Sequence, residues 1–281
     1  MNPIDTIIAV SAHPDLKAEL TPFGAGLYQL YFKGKELLSS GTKEEYFRKN
    51  NSFYGQTVAP FAGRVLHGKI GMFSFKTNEG PNCLHSGSFT TAFSPFAYEL
   101  KEKDDRTEVL FHHEQDVEGV HLVTETTYTF YKDAPRFAIR IDVTSDKVFP
   151  RNPTHHAYWY LGAKNLCDFD IRMKATRRVD YGEAKHPIGF IPAVGDFEGD
   201  RLKVDATLDY GYLLDDPKIE MRVGNILLTA TSKAKAVLVY TGHPGPRPCA
   251  TLEFVDAPLN DDAMLKSGTS TVLAEYTLEE K

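Results

Sequence analysis

Segment after segment of this chain alternates apolar and polar residues with a period of two, a pattern that only a sheet with one buried face can use. Residues 122–131 and 136–143 both alternate, and Lys132-Asp133-Ala134-Pro135 joins them by a link short enough for a hairpin. Residues 97–101, 107–112, 169–173, 226–231, 236–240 and 271–278 read as further strands, and residues 27–32 turn at Lys33-Gly34-Lys35 into Glu36-Leu37-Leu38. No stretch keeps an apolar period of 3.6 residues for three turns, and no 20–50-residue repeat marks a propeller or solenoid. The expected fold is therefore all-β, a large antiparallel β-sandwich. The composition agrees, with 18 Phe and 14 Tyr against 1 Trp, and 21 Gly and 16 Pro, a mixture suited to strands and turns.

At 281 residues the chain stands between one large domain and two ordinary ones. With no low-complexity linker or charge block, a single domain over 1–281 is expected, the second choice being two β domains divided near Phe149-Pro150. Thirty-eight acidic against 32 basic side chains give a net charge of −6, without a Lys/Arg run to follow a phosphate backbone or an anionic membrane, so neither nucleic acid nor membrane is expected as a partner. Cys83, Cys167 and Cys249 are odd in number and widely spaced, which favours a reducing compartment over a disulfide framework. The N-terminal residues carry no basic stretch, and the apolar run 7–10 is too short for a signal peptide. A cytoplasmic location is the expectation.

Four segments hold more polar chemistry than a turn requires. Arg64 follows Pro60-Phe61-Ala62-Gly63; His85 ends Asn78-Glu79-Gly80-Pro81-Asn82-Cys83-Leu84; His155 and His156 sit in Asn152-Pro153-Thr154-His155-His156-Ala157-Tyr158-Trp159; and Glu253 lies between Leu252 and Phe254. Each has a plain reading: a surface arginine, satisfied turn or core histidines, and a glutamate that faces outward because strands alternate. Together they have the composition of a polar pocket in a β scaffold.

These segments resemble the aldose 1-epimerase (galactose mutarotase) family. Ala62-Gly63-Arg64-Val65 is similar to its aGR(V/I) loop, Asn78 to His85 to its Asn-x-x-x-Asn-x-Leu-His segment, and Asn152 to Tyr158 to its Asn-x-Thr-Asn-His-x-Tyr motif. Leu208-Asp209-Tyr210-Gly211-Tyr212 looks like its sugar-binding Asp segment, and Leu252-Glu253-Phe254 falls where the family keeps a catalytic glutamate. Order and approximate spacing hold from about Ala18 to Leu278. The resemblance implies a mutarotase-like supersandwich that interconverts sugar anomers, with Glu253 as base at O1, His156 as imidazolium acid at the ring oxygen and His85 as a second donor. Arg64 and Asp209 would bind hydroxyls. Leu66-His67-Gly68 stands where the family often has Ala-Asn-Arg, His155 where Asn is usual, Ser86 where Gly is usual and Phe254 where Pro is common; His67 and His155 are thus expected to alter hydroxyl contacts. A carboxylate close to His156 is expected to keep it protonated.

No metal or organic cofactor is needed, since both steps are proton transfers. A metal site on His112-His113-Glu114 or His155-His156 is disfavoured, because adjacent strand residues face opposite ways. His112, His113, His121, His186 and His243 are expected to be surface or structural. Phosphate on the sugar would call for a basic cluster at the pocket mouth, with Arg177, Arg178, Lys185 and Arg247 as candidates. Phe61, Tyr158, Trp159, Tyr160, Tyr210, Tyr212 and Phe254 flank the motifs, and the aromatic excess is expected in part to line a sugar cleft, with Tyr158 and Trp159 read as core rather than sugar contacts. The rivals are a glycoside hydrolase with Asp209 and Glu253 as its carboxylate pair, and a sugar-binding protein without catalysis.

Overall fold

Strict alternation along Val120–Tyr131 puts Val120, Leu122, Thr124, Thr126, Tyr128 and Phe130 on the buried face and their neighbours outside. Its hairpin partner Arg136–Pro150 pairs with it from Phe130 opposite Phe137 to Leu122 opposite Ser145. A computed structural model describes residues 6–48, 52–204, 208–242 and 247–281. In it these two strands belong to a ten-stranded antiparallel sheet. From one edge its order is Ala97–Glu102, Arg106–Val117, Val120–Tyr131, Arg136–Pro150, Leu265–Glu280, Ile226–Ser232, Lys218–Val223, Asp170–Met173, Arg201–Leu202 and Phe197–Glu198.

The N-terminal sheet Ile8–His13, Leu16–Thr21, Gly26–Phe32 and Lys35–Glu36 and a five-stranded sheet complete the framework. The latter runs Pro187–Pro192, Arg177–Tyr181, Asp209–Leu213, Ala236–Tyr240 and Glu253–Val255. Burial of the inner faces stabilises the arrangement at about 25 cal/mol per Å² of apolar surface removed from water. One cluster of buried side chains extends from Ile8 to Leu278 and draws on all three sheets. Its centre is aromatic, with Phe137 stacked on Tyr276 at 4.9 Å and on Phe130 at 5.6 Å. A smaller cluster of Phe61, Phe75, Phe149 and their neighbours lies under the loops beside it.

The strands anticipated from alternation are present, and several run longer. Arg106–Val117, Arg136–Pro150 and Leu265–Glu280 outlast their apolar segments because backbone pairing continues where both faces turn polar. Phe149-Pro150, the alternative domain boundary, ends a strand and pairs with Lys266 and Leu265. Arg177–Tyr181 and Asp209–Leu213 escape a pattern reading, since the first is mostly charged and the second is interrupted by Gly211, whereas the equally short Ala236–Tyr240 is a continuous apolar run.

Replacing Phe137 with alanine removes the shared partner of both stacks. The expected loss is about 3–5 kcal/mol, measured as a lower denaturant midpoint at unchanged slope.

Candidate active site

Short elements joining the sheets converge on a cleft of about 660 Å³, lined by Phe53, Arg64, Glu79, His85, His156, Tyr158, Lys185, Asp209, Tyr240 and Glu253 among others. Glu253 enters it by strand alternation. Leu252 and Phe254 face the sandwich core, so Glu253 takes the opposite face. That face is the cleft floor, not solvent, and Glu253 is only 2% exposed. Its outward-facing alternative therefore fails because a second layer covers the outer face. The Thr251 hydroxyl accepts from the Tyr240 N–H at 3.1 Å and donates to Glu253 Oε1 at 2.9 Å, which fixes the carboxyl group.

His156 Nε2 stands 3.4 Å from Glu253 Oε1. Its backbone is held on both sides, its N–H donating to Gln56 O and its C=O accepting from the Gly55 N–H. Burial disfavours charge on both partners. It pushes the Glu253 carboxyl up to about 8 despite opposition from the Thr251 hydrogen bond, and pulls His156 down to about 4. The expectation of a standing imidazolium is reversed: one contact at 3.4 Å does not repay the removal of two charges from water, so the shared proton rests on Glu253.

His85 occupies a run of left-handed backbone, with φ of 50° at His85, 66° at Ser86 and 56° at Gly87. Two consecutive non-glycine residues in that region are strained, at a cost of roughly 1 kcal/mol or more each. The turn sets the His85 ring edge-on to His156 at 5.4 Å, under the Phe53 ring at 4.6 Å. His85 Nδ1 accepts from the Gly63 N–H at 3.1 Å, so Nε2 carries the ring proton. Burial, then His156 and Arg64, hold His85 well below the usual imidazole range, leaving a neutral donor. Gly63 itself has φ of 77°, and a Cβ there would lie 2.4 Å from Asn260 Nδ2, which explains the glycine before Arg64.

Arg64 forms the cleft wall with two carboxylates. Its Nε and Nη2 donate to Glu79 at 2.7 and 3.0 Å, and its Nη1 to Asp209 at 3.4 Å. Arg64, His85, His156, Asp209 and Glu253, all singled out from the sequence, thus meet in one place. His155 and His67 do not. His155 faces the core, where its Nε2 meets Tyr128 Oη at 2.8 Å while that hydroxyl donates to Ala25 O; alternation sends it away from the cleft that His156 enters. His67 occupies a left-handed turn after Arg64–Leu66, outside the cleft lining.

The aromatic lining is corrected as well. Of the seven flanking rings only Tyr158 lines the cleft, its hydroxyl donating to Ser52 O at 2.9 Å. Trp159, Tyr212 and Phe254 belong to the main core and Phe61 to the smaller one, while Tyr160 lies under Arg247 and Tyr210 under Arg178. Phe53 and Tyr240, outside every motif, line the cleft instead, as does Glu79, which the motif contained without assigning it a part. Of the four cationic candidates for phosphate only Lys185 lines the cleft; Arg177 lies over Phe190, Arg178 faces Asp196 and Arg247 pairs with Glu36. His112 and His121 pair with acidic neighbours, His113 Nδ1 lies 3.1 Å from Pro95 O, and His243 is outside the described residues. Among the described residues no group of three or more His, Cys, Asp or Glu side chains is arranged to hold a metal ion, and no helix is long and apolar enough to cross a membrane.

A family model, Aldose 1-epimerase, matches residues 7–271, and the chain belongs to that family. A curated aldose 1-epimerase from Streptococcus thermophilus is 28% identical over 159 residues, which span 52% of this chain and 44% of that relative. The fold is that of a galactose 1-epimerase from Lactobacillus acidophilus NCFM (TM-score 0.88, 20% identity, 98% of this chain and 94% of that one). It is also that of an aldose epimerase homologue from C. elegans (TM-score 0.85, 20% identity, 98% and 99% of the two chains).

The sign of the Glu253 shift gives a stability test. Because its folded value of about 8 lies above the ordinary 4.5, the group favours folding below pH 4.5 and that contribution is lost as pH rises to 8. Glu253→Gln is expected to gain roughly 3–5 kcal/mol on wild type between pH 4 and pH 9. Denaturant melts of both proteins across that range measure the gap, and a constant difference would contradict a buried neutral carboxyl.

Proposed function

We propose that this chain is an aldose 1-epimerase that interconverts the α and β anomers of a neutral hexose or related sugar, with residues 1–281 acting as one domain. The observation that carries this is the Glu253–His156 contact of 3.4 Å on the floor of an open cleft. Interconversion needs one group to remove the proton of the anomeric hydroxyl and one to protonate the ring oxygen. The ring then opens, C1 turns and closure on the other face returns both protons.

Glu253 and His156 together hold one proton between about pH 4 and about 8, and this is the count such a reaction requires. Sugar hydroxyls that hydrogen-bond the carboxyl favour its ionised form, so the proton crosses to His156. Glu253 then accepts from O1–H, His156 donates to the ring oxygen, and the pair ends each turnover with the proton it began with. His85, neutral with Nε2–H free to donate, steadies charge at the ring oxygen without exchanging its proton. Asp209 accepts from a sugar hydroxyl and Arg64 donates to one, while Phe53, Tyr158 and Tyr240 offer ring faces to sugar C–H groups.

A neutral substrate is favoured by the charges of the wall. Arg64 is engaged by both Glu79 and Asp209, which among the described residues leaves Lys185 as the remaining cation of the lining against a phosphate dianion. Extension of the main core cluster from Ile8 to Leu278 supports a single domain, and three free cysteines fit a reducing, cytoplasmic setting.

Polarimetry on fresh α-D-glucose and α-D-galactose tests the proposal. Wild type is expected to accelerate mutarotation, and Glu253→Gln and His156→Asn to lose about 10²–10⁴-fold in kcat. Three equal rates above the buffer rate would remove these two residues from the mechanism. Sugar binding without acceleration would indicate a binding protein, and cleavage of an oligosaccharide a hydrolase. The pH dependence of kcat/KM for wild type is expected to be bell-shaped, falling below about 4, where no base remains, and above about 8, where no acid remains. A profile flat to pH 10 would contradict a proton shared by this pair.

A further inference from the structure

The wall of the cleft contains an arginine gripped along one edge by a carboxylate that the proton-transfer scheme does not use. Glu79 takes both Nε and Nη2 of Arg64, a two-bond geometry that fixes the plane of the guanidinium as well as its position. Nη1 is the nitrogen left facing Asp209 Oδ2, at 3.4 Å. The grip is itself held firmly. Asn78 Oδ1 accepts from the Leu84 N–H at 2.7 Å and Asn78 Nδ2 donates to Leu84 O at 3.2 Å, closing the loop that carries Glu79. Asn82–Leu84 pairs directly with Arg64–Leu66, so one short ladder sets the two ends of the ion pair against each other.

We propose that Glu79 is a positioning residue for Arg64: it aims Nη1 at the sugar site and cancels enough of the guanidinium charge to leave the Glu253–His156 pair its proton. The sugar site named in this statement rests on the mutarotase reading; the hold on Arg64 and the charge it balances do not.

The electrostatic part follows from what faces Glu253. His156 contacts it, Asp209 and Arg64 act on it from the wall with opposite signs, and Tyr158, Tyr181 and Tyr240 surround it as neutral phenols. Asp209 favours the protonated carboxyl and Arg64 the carboxylate. With Glu79 in place, Arg64 carries a neutralising partner at its far edge. Without it, Arg64 keeps Asp209 as its partner, the wall loses its surplus negative charge, and the carboxylate of Glu253 on the buried floor becomes easier to form.

Two variants of the full chain separate position from charge. Glu79→Gln keeps the size and loses the charge; Glu79→Asp keeps the charge and shortens the reach. In a galactose mutarotation assay over pH 3.5–10, Glu79→Gln is expected to raise KM about tenfold with kcat within about threefold of wild type. Its alkaline limb should move down by about half a pH unit or more. Glu79→Asp should keep the limb of wild type while its KM stays raised. Unchanged KM and limb in Glu79→Gln would overturn the inference, and so would a fall in kcat with the limb unmoved, which marks a merely structural role. A wild type that does not accelerate mutarotation would sink the mutarotase reading, and the electrostatic claim would then be decided by NMR titration of the Glu253 carboxyl. A fall of about half a unit in Glu79→Gln upholds it, and a value that stays at about 8 overturns it.

Discussion

Keeping water from Glu253 and His156 is the constraint on which the rest of the site depends. In water both groups would titrate at ordinary values, two units apart, and the carboxylate would lose its proton to the imidazole at once. On the cleft floor the order is inverted, with the carboxyl at about 8 and the imidazole at about 4. That inversion requires a carboxyl on a strand whose two neighbouring residues are fixed in a packed core, and tyrosines around it that fill space without adding charge; the Thr251 hydroxyl orients the carboxyl but works against the rise. The long aromatic sandwich supplies the rigid layer behind the floor.

Floor and wall use opposite electrostatic strategies. The floor is nearly without charge and holds a single movable proton. The wall is built on ion pairs, with Arg64 between Glu79 and Asp209, and has no assigned part in the proton transfer. For the neutral sugar proposed as substrate, such a wall offers fixed donors and acceptors, while the floor supplies the movable proton that the proposed reaction needs. Segregating the two avoids a common difficulty of acid–base sites, in which charges that bind substrate also disturb the groups that react.

Much of this was legible in the sequence, and the misses have identifiable physical origins. Alternation identified the long strands because each offers four or more repeats of one pattern, as along residues 122–131. It could not identify short strands without an apolar pattern, such as Asp209–Leu213, although the apolar run 236–240 of the same length stood out. Arg64, His85, His156 and Glu253 stood out because polar residues within apolar strings demand an explanation, whereas Asp209 was reached through the family resemblance alone. His155 passed the same filter and His67 came in with the resemblance, and both lie outside the cleft lining; for His155 the reason is that composition does not say which face of a strand is the cleft, since neighbours along a strand share a motif but not a side. Phe53 and Tyr240 gave no signal at all, being aromatic residues among many. Glu79 was hidden for another reason: a carboxylate in a turn is unremarkable until the cation it grips is seen. The protonation of His156 was misjudged because a neighbouring carboxylate is visible in a sequence, whereas desolvation depends on everything packed around the pair.

Glu253 sits between two residues that belong to the core, and that placement has a consequence for how such a protein can diverge. Any change that repacks Leu252 or Phe254 also shifts the reacting carboxyl, so the floor is bound to the stability of the whole sandwich and has little freedom to drift. The wall is tied to it less closely: Glu79 and Lys185 come from loops and belong to none of the buried clusters, while Phe53 packs only against a small one. On the proposed function, new sugar preferences are therefore accessible through the loops while the proton-transfer pair stays fixed in the sheet. A lineage built on this plan would be expected to vary widely in what it admits and very little in what it does.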